Sequence, residues 1–449
     1  MKNKLLIIPS KIVTVNSEDE ILSGYAIEIQ DKIITKIIEV KKIDLSCYDG
    51  EIIDAQDKVL IPGFIQTHIH LCQTLFRGLA DDLQLLDWLQ QRIFPYENAH
   101  SEKSLLASVK LGINELINGG TTTLLDMGTL RHQHVIFDEL ISSGIRAFAG
   151  KCMMDENDLF PSFRNNTQTE LNETLSLAKE YHNKADGRIK YGFAPRFVLS
   201  CSEELLIETK EMMKDFKNSI YHTHSSENKS EVAEVRRRHN KENIEYFNHI
   251  NILDDHTVLA HCIHLNDEEI GLMKQLDARV THCPSSNLKL ASGIANIPRY
   301  LKEGINVSLG ADGAPCNNNL SQFYEMRLSA LIQKPIHGAD SMDAKTVFKL
   351  ATIEGAKALH IQNETGSIEP GKYADLVLLD LNDPSLPLSD DDDGIYSKIV
   401  YCANQSHVSD VMINGEWKMR NGESLIYNQK ELTAYAKEEL NLLLKRAYL

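Results

Sequence analysis

From Phe64 to Ala311 the chain alternates apolar runs of strand length with amphipathic segments of helix length, and few folds accept such a pattern. Strands are expected at 64–70, 121–126, 145–150, 189–194, 219–224, 257–261, 278–283 and 305–311. The segment 101–118 shows the intervening type, with Leu105, Val109, Ile113 and Leu116 on one helical stripe and Gly119-Gly120 ending it. Apolar strands must be covered, and strand–helix repeats do so in α/β folds with parallel sheets. Eight repeats point to a (β/α)8 TIM barrel.

The two ends of the chain read differently. Short β-rich runs at 4–8, 12–15, 26–29 and 32–38, separated by polar turns, suggest a small antiparallel sheet. Strand-like runs return at 374–380 and 408–413, and a charged helix is expected near 430–445. We expect both ends to pair in one small β-sandwich domain. The expected division is 1–58 for its first part, 59–365 for the barrel, and 366–449 for its second part plus the terminal helix.

A formal net charge of −17 leaves no broad basic surface for nucleic acid or an anionic membrane, so a small molecule is the expected partner. Eight scattered cysteines without a C-x-x-C pair read as reduced thiols of a cytoplasmic protein. The apolar start stops at Pro9, too short for a signal core or a membrane span. The acidic run Asp390 to Asp393 reads as a solvated loop.

Several strand ends carry metal-binding chemistry, and barrel active sites sit at the C-terminal ends of strands. Side chains two apart on a strand point the same way, so His68 and His70 can face one ion. Taken alone, the pair is as easily two hydrogen-bonded core histidines. His224 and Glu227 add a ligand and a carboxylate able to move a proton, although Lys229 and Glu231 beside them also fit a surface loop. His222 is an alternative ligand; His224 is favoured for its spacing from Glu227. Asp312 lies between Gly310 and Gly313, where small residues keep the backbone close; a turn aspartate is the plain alternative. His261 ends the run Val258-Leu259-Ala260 and could bind the ion or the substrate, and His282 ends another strand. Imidazoles with a carboxylate suit Zn²⁺ or Fe²⁺ with a position left for water, and hence a hydrolase.

With these residues in view, the chain resembles the amidohydrolase superfamily in its cytosine-deaminase-like branch. The resemblance is carried by Pro62-Gly63-Phe64-Ile65-Gln66-Thr67-His68-Ile69-His70, Ala260-His261-Cys262, His282-Cys283-Pro284-Ser285-Ser286-Asn287, Gly310-Ala311-Asp312-Gly313 and Gly366-Ser367-Ile368-Glu369-Pro370-Gly371-Lys372-Tyr373-Ala374-Asp375. It implies one divalent metal, zinc ahead of iron, on His68, His70, His224 and Asp312. It also implies Glu227 as proton shuttle, His261 near the reacting water, and Asp312 as a base on that water. Binuclear relatives need a carboxylated Lys ending strand four; here Ala194-Pro195-Arg196-Phe197 stands there and Lys190 lies at the start, which implies a mononuclear site.

Within the branch, Leu71-Cys72-Gln73-Thr74-Leu75-Phe76-Arg77-Gly78 and Phe94-Pro95-Tyr96-Glu97 are similar to deaminases of 5′-deoxyadenosine, methylthioadenosine and S-adenosylhomocysteine. That similarity implies Glu97 on the ribose hydroxyls and Arg164 on an amino-acid carboxylate; a helix-start glutamate and a solvated loop arginine are the plain readings. Methylthioadenosine-type enzymes carry a His just before the Ala-Pro of strand four, where this chain has Phe193. Arg196 and Gln73 are instead similar to purine-holding residues of guanine deaminases. The expected function is hydrolytic deamination of an adenosine-type nucleoside. Guanine deaminase and s-triazine chlorohydrolase are the alternatives, followed by a metal-free binding homologue. A homo-oligomer is expected from the family.

Overall fold

The computed structural model describes residues 4–389 and 391–447; residues 1–3, Asp390 of the acidic run and residues 448–449 lie outside them. The N-terminal part supplies β1 (Lys4–Val13), β2 (Ile21–Ser23), β3 (Tyr25–Gln30), β4 (Ile33–Glu39) and β5 (Glu51–Pro62). The expected runs 4–8 and 12–15 are one strand, β1, whose register shifts between Pro9 and Lys11. The proline, lacking an N–H, sits at this irregularity. β5 was not apparent in the sequence because Asp54, Gln56, Asp57 and Lys58 interrupt its apolar pattern. It pairs in parallel with β1, whereas β1 pairs antiparallel with β3 and β3 with β4.

The barrel strands follow: β6 (Phe64–His70), β7 (Thr121–Asp126), β8 (Arg146–Ala149), β9 (Cys152–Met153), β10 (Ile189–Pro195), β11 (Ile220–Ser225), β12 (Thr257–His261), β13 (Arg279–His282), β14 (Val307–Leu309) and β15 (Asp312–Gly313). Their order around the barrel is β14-β13-β12-β11-β10-β8-β7-β6-β15, all parallel, with β9 also on β10. The third and eighth strands are each broken in two, β8 with β9 and β14 with β15. Closure comes from β15, which pairs Asp312 with Ile69 and Gly313 with His70 on β6. Every residue of β6, β7 and β10 is buried, as expected where helices cover the outside and side chains fill the inside. The helix Glu102–Asn118 starts at Ser101, whose side chain caps it, and buries the expected Leu105, Val109, Ile113 and Leu116.

The chain then returns through β16 (Leu376–Asp380), β17 (Val408–Ile413), β18 (Glu416–Arg420) and β19 (Glu423–Ser424). β16 pairs with β5, so both chain ends join one nine-stranded sheet in the order β19-β18-β17-β16-β5-β1-β3-β4, with β2 also on β1. Arg146 at the start of β8 is bound to Asp375 ahead of β16 (Nε to Oδ2, 2.7 Å), both buried, and Asp375 also accepts from the Asn414 N–H. The terminal helix Gln429–Ala447 lies on the barrel side, where Tyr435 donates to the Lys103 carbonyl and Arg446 to that of Ala99. Among the described residues, no helix is long and apolar enough to cross a membrane.

Candidate active site

The eighth strand brings Asp312 to the first. A Cβ on Gly310 would fall 2.7 Å from the His68 carbonyl oxygen and 2.9 Å from its nitrogen, so only glycine permits this approach. Asp312 Oδ1 then stands 3.2 Å from His68 Nε2 and 3.3 Å from His70 Nε2, and His70 Nε2 is 3.2 Å from His224 Nε2. Ligand atoms of His68, His70, His224 and Asp312 all lie within 4.8 Å of one another. Asp312 adopts φ 61°, and Ser226, His261 and Cys262 are also left-handed at φ 52°, 75° and 47°. Such backbone strain in non-glycine residues collects where side chains are held for function.

Hydrogen bonds fix the imidazoles. A carbonyl can only accept, so the contact of His222 Nδ1 with Val258 O (3.0 Å) puts a proton on that nitrogen. His222 Nε2 must then accept from His68 Nδ1 at 2.8 Å, leaving His68 Nε2 with its lone pair toward the cluster. His224 donates Nδ1–H to the Arg196 carbonyl (2.7 Å) and His261 donates to Asn287 Oδ1 (2.8 Å), freeing each Nε2 in the same way. His68 Nε2 and His261 Nε2 are buried without a hydrogen-bond partner. Burial disfavours the charged rings and pushes His68, His70 and His224 below the usual imidazole range, the direction that metal ligation requires. Three imidazoles and a carboxylate converging on orphaned nitrogens fit a divalent transition metal.

Asp312 and Glu227 are held in opposite states. Burial works against a charge on Asp312, but His68 and His70 outweigh it and hold the carboxyl well below its usual range. Burial pushes Glu227 well above its range, and the negative charges of Asp312 and Glu231 push the same way. Glu227 Oε2 lies 3.5 Å from His261 Nε2, which is 3.9 Å from Asp312 Oδ2. His261 therefore borders the ligand cluster together with Glu227.

Five supporting residues were not assigned these positions from the sequence. Glu231, whose neighbourhood fits a surface loop equally well on paper, is buried and accepts the N–H of Glu227 at 2.7 Å. Ser286 donates to Asp312 Oδ2 at 2.6 Å and Asn287 orients His261; both lie in the quoted His282 motif. His222, the alternative ligand, is behind His68 instead. Trp88 lines the cavity, and its spacing from Leu85 and Leu89, one helical face, was the available signal. Those residues lie where α-helix Leu85–Trp88 passes into a π-helical turn, Leu89–Ile93, an irregularity frequent at functional sites.

The cavity is lined by His70, Gln73, Leu85, Trp88, Leu89, Arg196, Phe197, His224, Glu227, His261, Leu290 and Asp312. Glu97 stands behind this lining. Arg196 holds it with two contacts (2.7 and 3.2 Å), and the Gln73 side-chain N–H donates to it at 2.7 Å. Burial opposes the Arg196 charge, but Glu97 more than compensates. Glu97 is thus the shared acceptor of Gln73 and Arg196, a role the sequence did not suggest. Arg164 is exposed and does not line the cavity. Phe193 packs on Tyr191 and Phe216, with ring centroids 4.8 and 5.7 Å apart, and is likewise not among the lining residues. Its difference from a histidine therefore does not alter the cavity wall. Lys190, near the start of β10, pairs with Glu364 at 3.3 Å, away from the ligand cluster.

Residues 59–418 match the model of the amidohydrolase family. The chain is 38% identical over 408 residues to the 5′-deoxyadenosine deaminase of Methanosphaera stadtmanae, covering 90% of this chain and 93% of that one. It is 36% identical to the 5-methylthioadenosine/S-adenosylhomocysteine deaminase of Thermoanaerobacter pseudethanolicus, covering 93% and 94%. Its fold superposes with a TM-score of 0.90 on an adenosine deaminase from Xanthomonas campestris with bound zinc, at 28% identity over 99% of each chain.

Proposed function

The chain belongs to the amidohydrolase family, and from that membership we propose that it hydrolyses the 6-amino group of an adenosine-type nucleoside, 5′-deoxyadenosine first, to the inosine analogue and ammonia. The observation that carries this reading is the opening of the four-ligand cluster and Glu227 into a cavity with an apolar wall. Leu85, Trp88, Leu89, Phe197 and Leu290 suit a purine face and a 5′-methyl or methylthio group. Arg196 is the one guanidinium or ammonium group of the wall, and Glu97 already pairs with it. An amino-acid carboxylate such as that of S-adenosylhomocysteine finds no free cation there.

His68, His70, His224 and Asp312 would hold one divalent ion, zinc ahead of iron, and the zinc-bound structural neighbour supports that order. When bound, such an ion supplies an activated water and stabilises charge at the attacked carbon. Glu227, protonated through its burial, gives its proton to purine N1 as the water adds at C6. Asp312, ionised beside His68 and His70, draws on the water proton, which passes through Glu227 to the departing amine. His261 Nε2, fixed by Asn287, accepts a hydrogen bond from the attacking water. Gln73 and Arg196 face the purine, and Glu97, behind them, keeps them in place.

All eight cysteines are unpaired, which supports a reducing cytoplasm. Tyr324 and Leu331, two turns apart on the helix Gln322–His337, and Leu288 on the neighbouring helix Pro284–Lys289 are exposed and support a homo-oligomer. The test of substrate is an ultraviolet deamination panel of 5′-deoxyadenosine, methylthioadenosine, S-adenosylhomocysteine, adenosine, guanine and cytosine. We expect the first two to react fastest; reaction of guanine alone would replace the proposed substrate.

A further inference from the structure

We propose that Asp255, His256 and His360 form a second divalent-metal site, at the opposite end of the barrel from the first. Asp255 and His256 immediately precede β12, whose other end carries His261, so they lie at its N-terminal end. His360 follows the helix Ile353–Ala358 and reaches them from a distance of more than one hundred residues in sequence. One ligand atom from each of the three side chains lies within 4.8 Å of the others.

The spacing suits an ion. His256 Nδ1 is 3.0 Å from Asp255 Oδ1, and His360 Nε2 is 4.0 Å from Asp255 Oδ2. Ligand atoms of a tetrahedral site with bonds of about 2.0 Å stand about 3.3 Å apart, so these separations lie on either side of the required edge. His360 Nε2 is also 2.7 Å from the Asp255 carbonyl oxygen, which supplies a fourth candidate ligand. Each imidazole now spends a proton on Asp255, and a metal replaces such protons directly. Arg279 Nε donates to the same carbonyl at 3.3 Å, but its Nη2 is turned to Asp277, which balances its charge.

The rings are already collected. His256 and His360 stack with centroids 4.0 Å apart and 13° between planes. His360 is held at φ 56°, an unusual conformation for a residue other than glycine. The side chains of Asp255, His256 and His360 are 49%, 32% and 20% exposed, which leaves an entry path and room for water as a ligand. Two imidazoles and a carboxylate select zinc, nickel or copper over magnesium or calcium. Bound there, the ion would tie the segment after the helix Ile353–Ala358 to the start of β12, so its effect falls on stability and not on the cavity.

The test is zinc stoichiometry of the full chain after equilibrium dialysis against free Zn²⁺. We expect two equivalents per chain in the wild type and one in the double variant His256→Gln, His360→Gln, with the thermal midpoint of protein already loaded with one equivalent rising on further zinc only in the wild type. One equivalent in the wild type overturns the proposal, and that result needs no variant to fold. Two equivalents in a folded double variant overturn it as well, since the extra ion would then be bound elsewhere.

Discussion

His222 Nε2 accepts a hydrogen bond from His68 Nδ1 at 2.8 Å, and this contact decides which nitrogen of His68 faces His70, His224 and Asp312. The partner histidine is itself fixed by the Val258 carbonyl at 3.0 Å. Replacing His222 with Ala releases the ring and leaves a buried donor on His68 unpaired. Loss of such an orienting partner typically costs ~10–100-fold in metal affinity. A chelator competition on His222→Ala should show a weaker site, with His222→Gln partly restoring it.

Arg196 and Glu97 are buried together, so each is costly without the other. Arg196→Met should destabilise the protein by about 3–5 kcal/mol, because it strands a buried carboxylate. Urea unfolding measures the loss. Glu97→Gln should be milder in stability and raise KM for nucleosides, as Arg196 loses its counter-charge and one of its two acceptor oxygens.

Trp88 is 4% exposed and its Nε1 has no hydrogen-bond partner, so it can serve as an aromatic wall with a free donor. Trp88→Leu should raise KM for 5′-deoxyadenosine by roughly 2- to 12-fold, from the loss of about 0.5–1.5 kcal/mol of aromatic contact. Initial rates against substrate concentration check this, and metal content should stay at the wild-type value.

His100 couples acidity to stability away from the ligands. Burial lowers its pKa from 6.5 to about 4, and its ring bonds the Cys72 carbonyl at 2.8 Å. A depressed folded pKa gives stability that is complete above the unfolded value and is lost as pH falls through 6.5 toward 4. At pH 5 this amounts to about 2 kcal/mol. Urea unfolding at pH 7.5 and 5 should show that loss in the wild type and a smaller one in His100→Gln.

Much of this arrangement is legible in the sequence, for a physical reason. Barrel strands are apolar and short, so β6, β7, β10, β11 and β12 announce themselves, and the C-terminal ends of four of them carry His70, Asp126, His224 and His261. Gly310 and Gly313 mark the close approach that places Asp312. Supporting residues are harder to read because their role exists only across the fold. His222 meets His68 over 154 positions, and Arg196 meets Glu97 over 99. Glu231 looked like a solvated charge because its partner is a backbone N–H, which sequence does not display. Arg164 is the opposite case: a loop position carries no information on where the side chain points, and it is exposed.

The most direct test of the central claim is ammonia release from 5′-deoxyadenosine by wild type and Glu227→Gln, each measured with its metal content. The proposed role of Glu227 predicts turnover by the wild type and a loss of at least ~10²–10⁴-fold in the variant at unchanged metal content. Equal turnover by the two proteins, or none by a metal-loaded wild type, would contradict it.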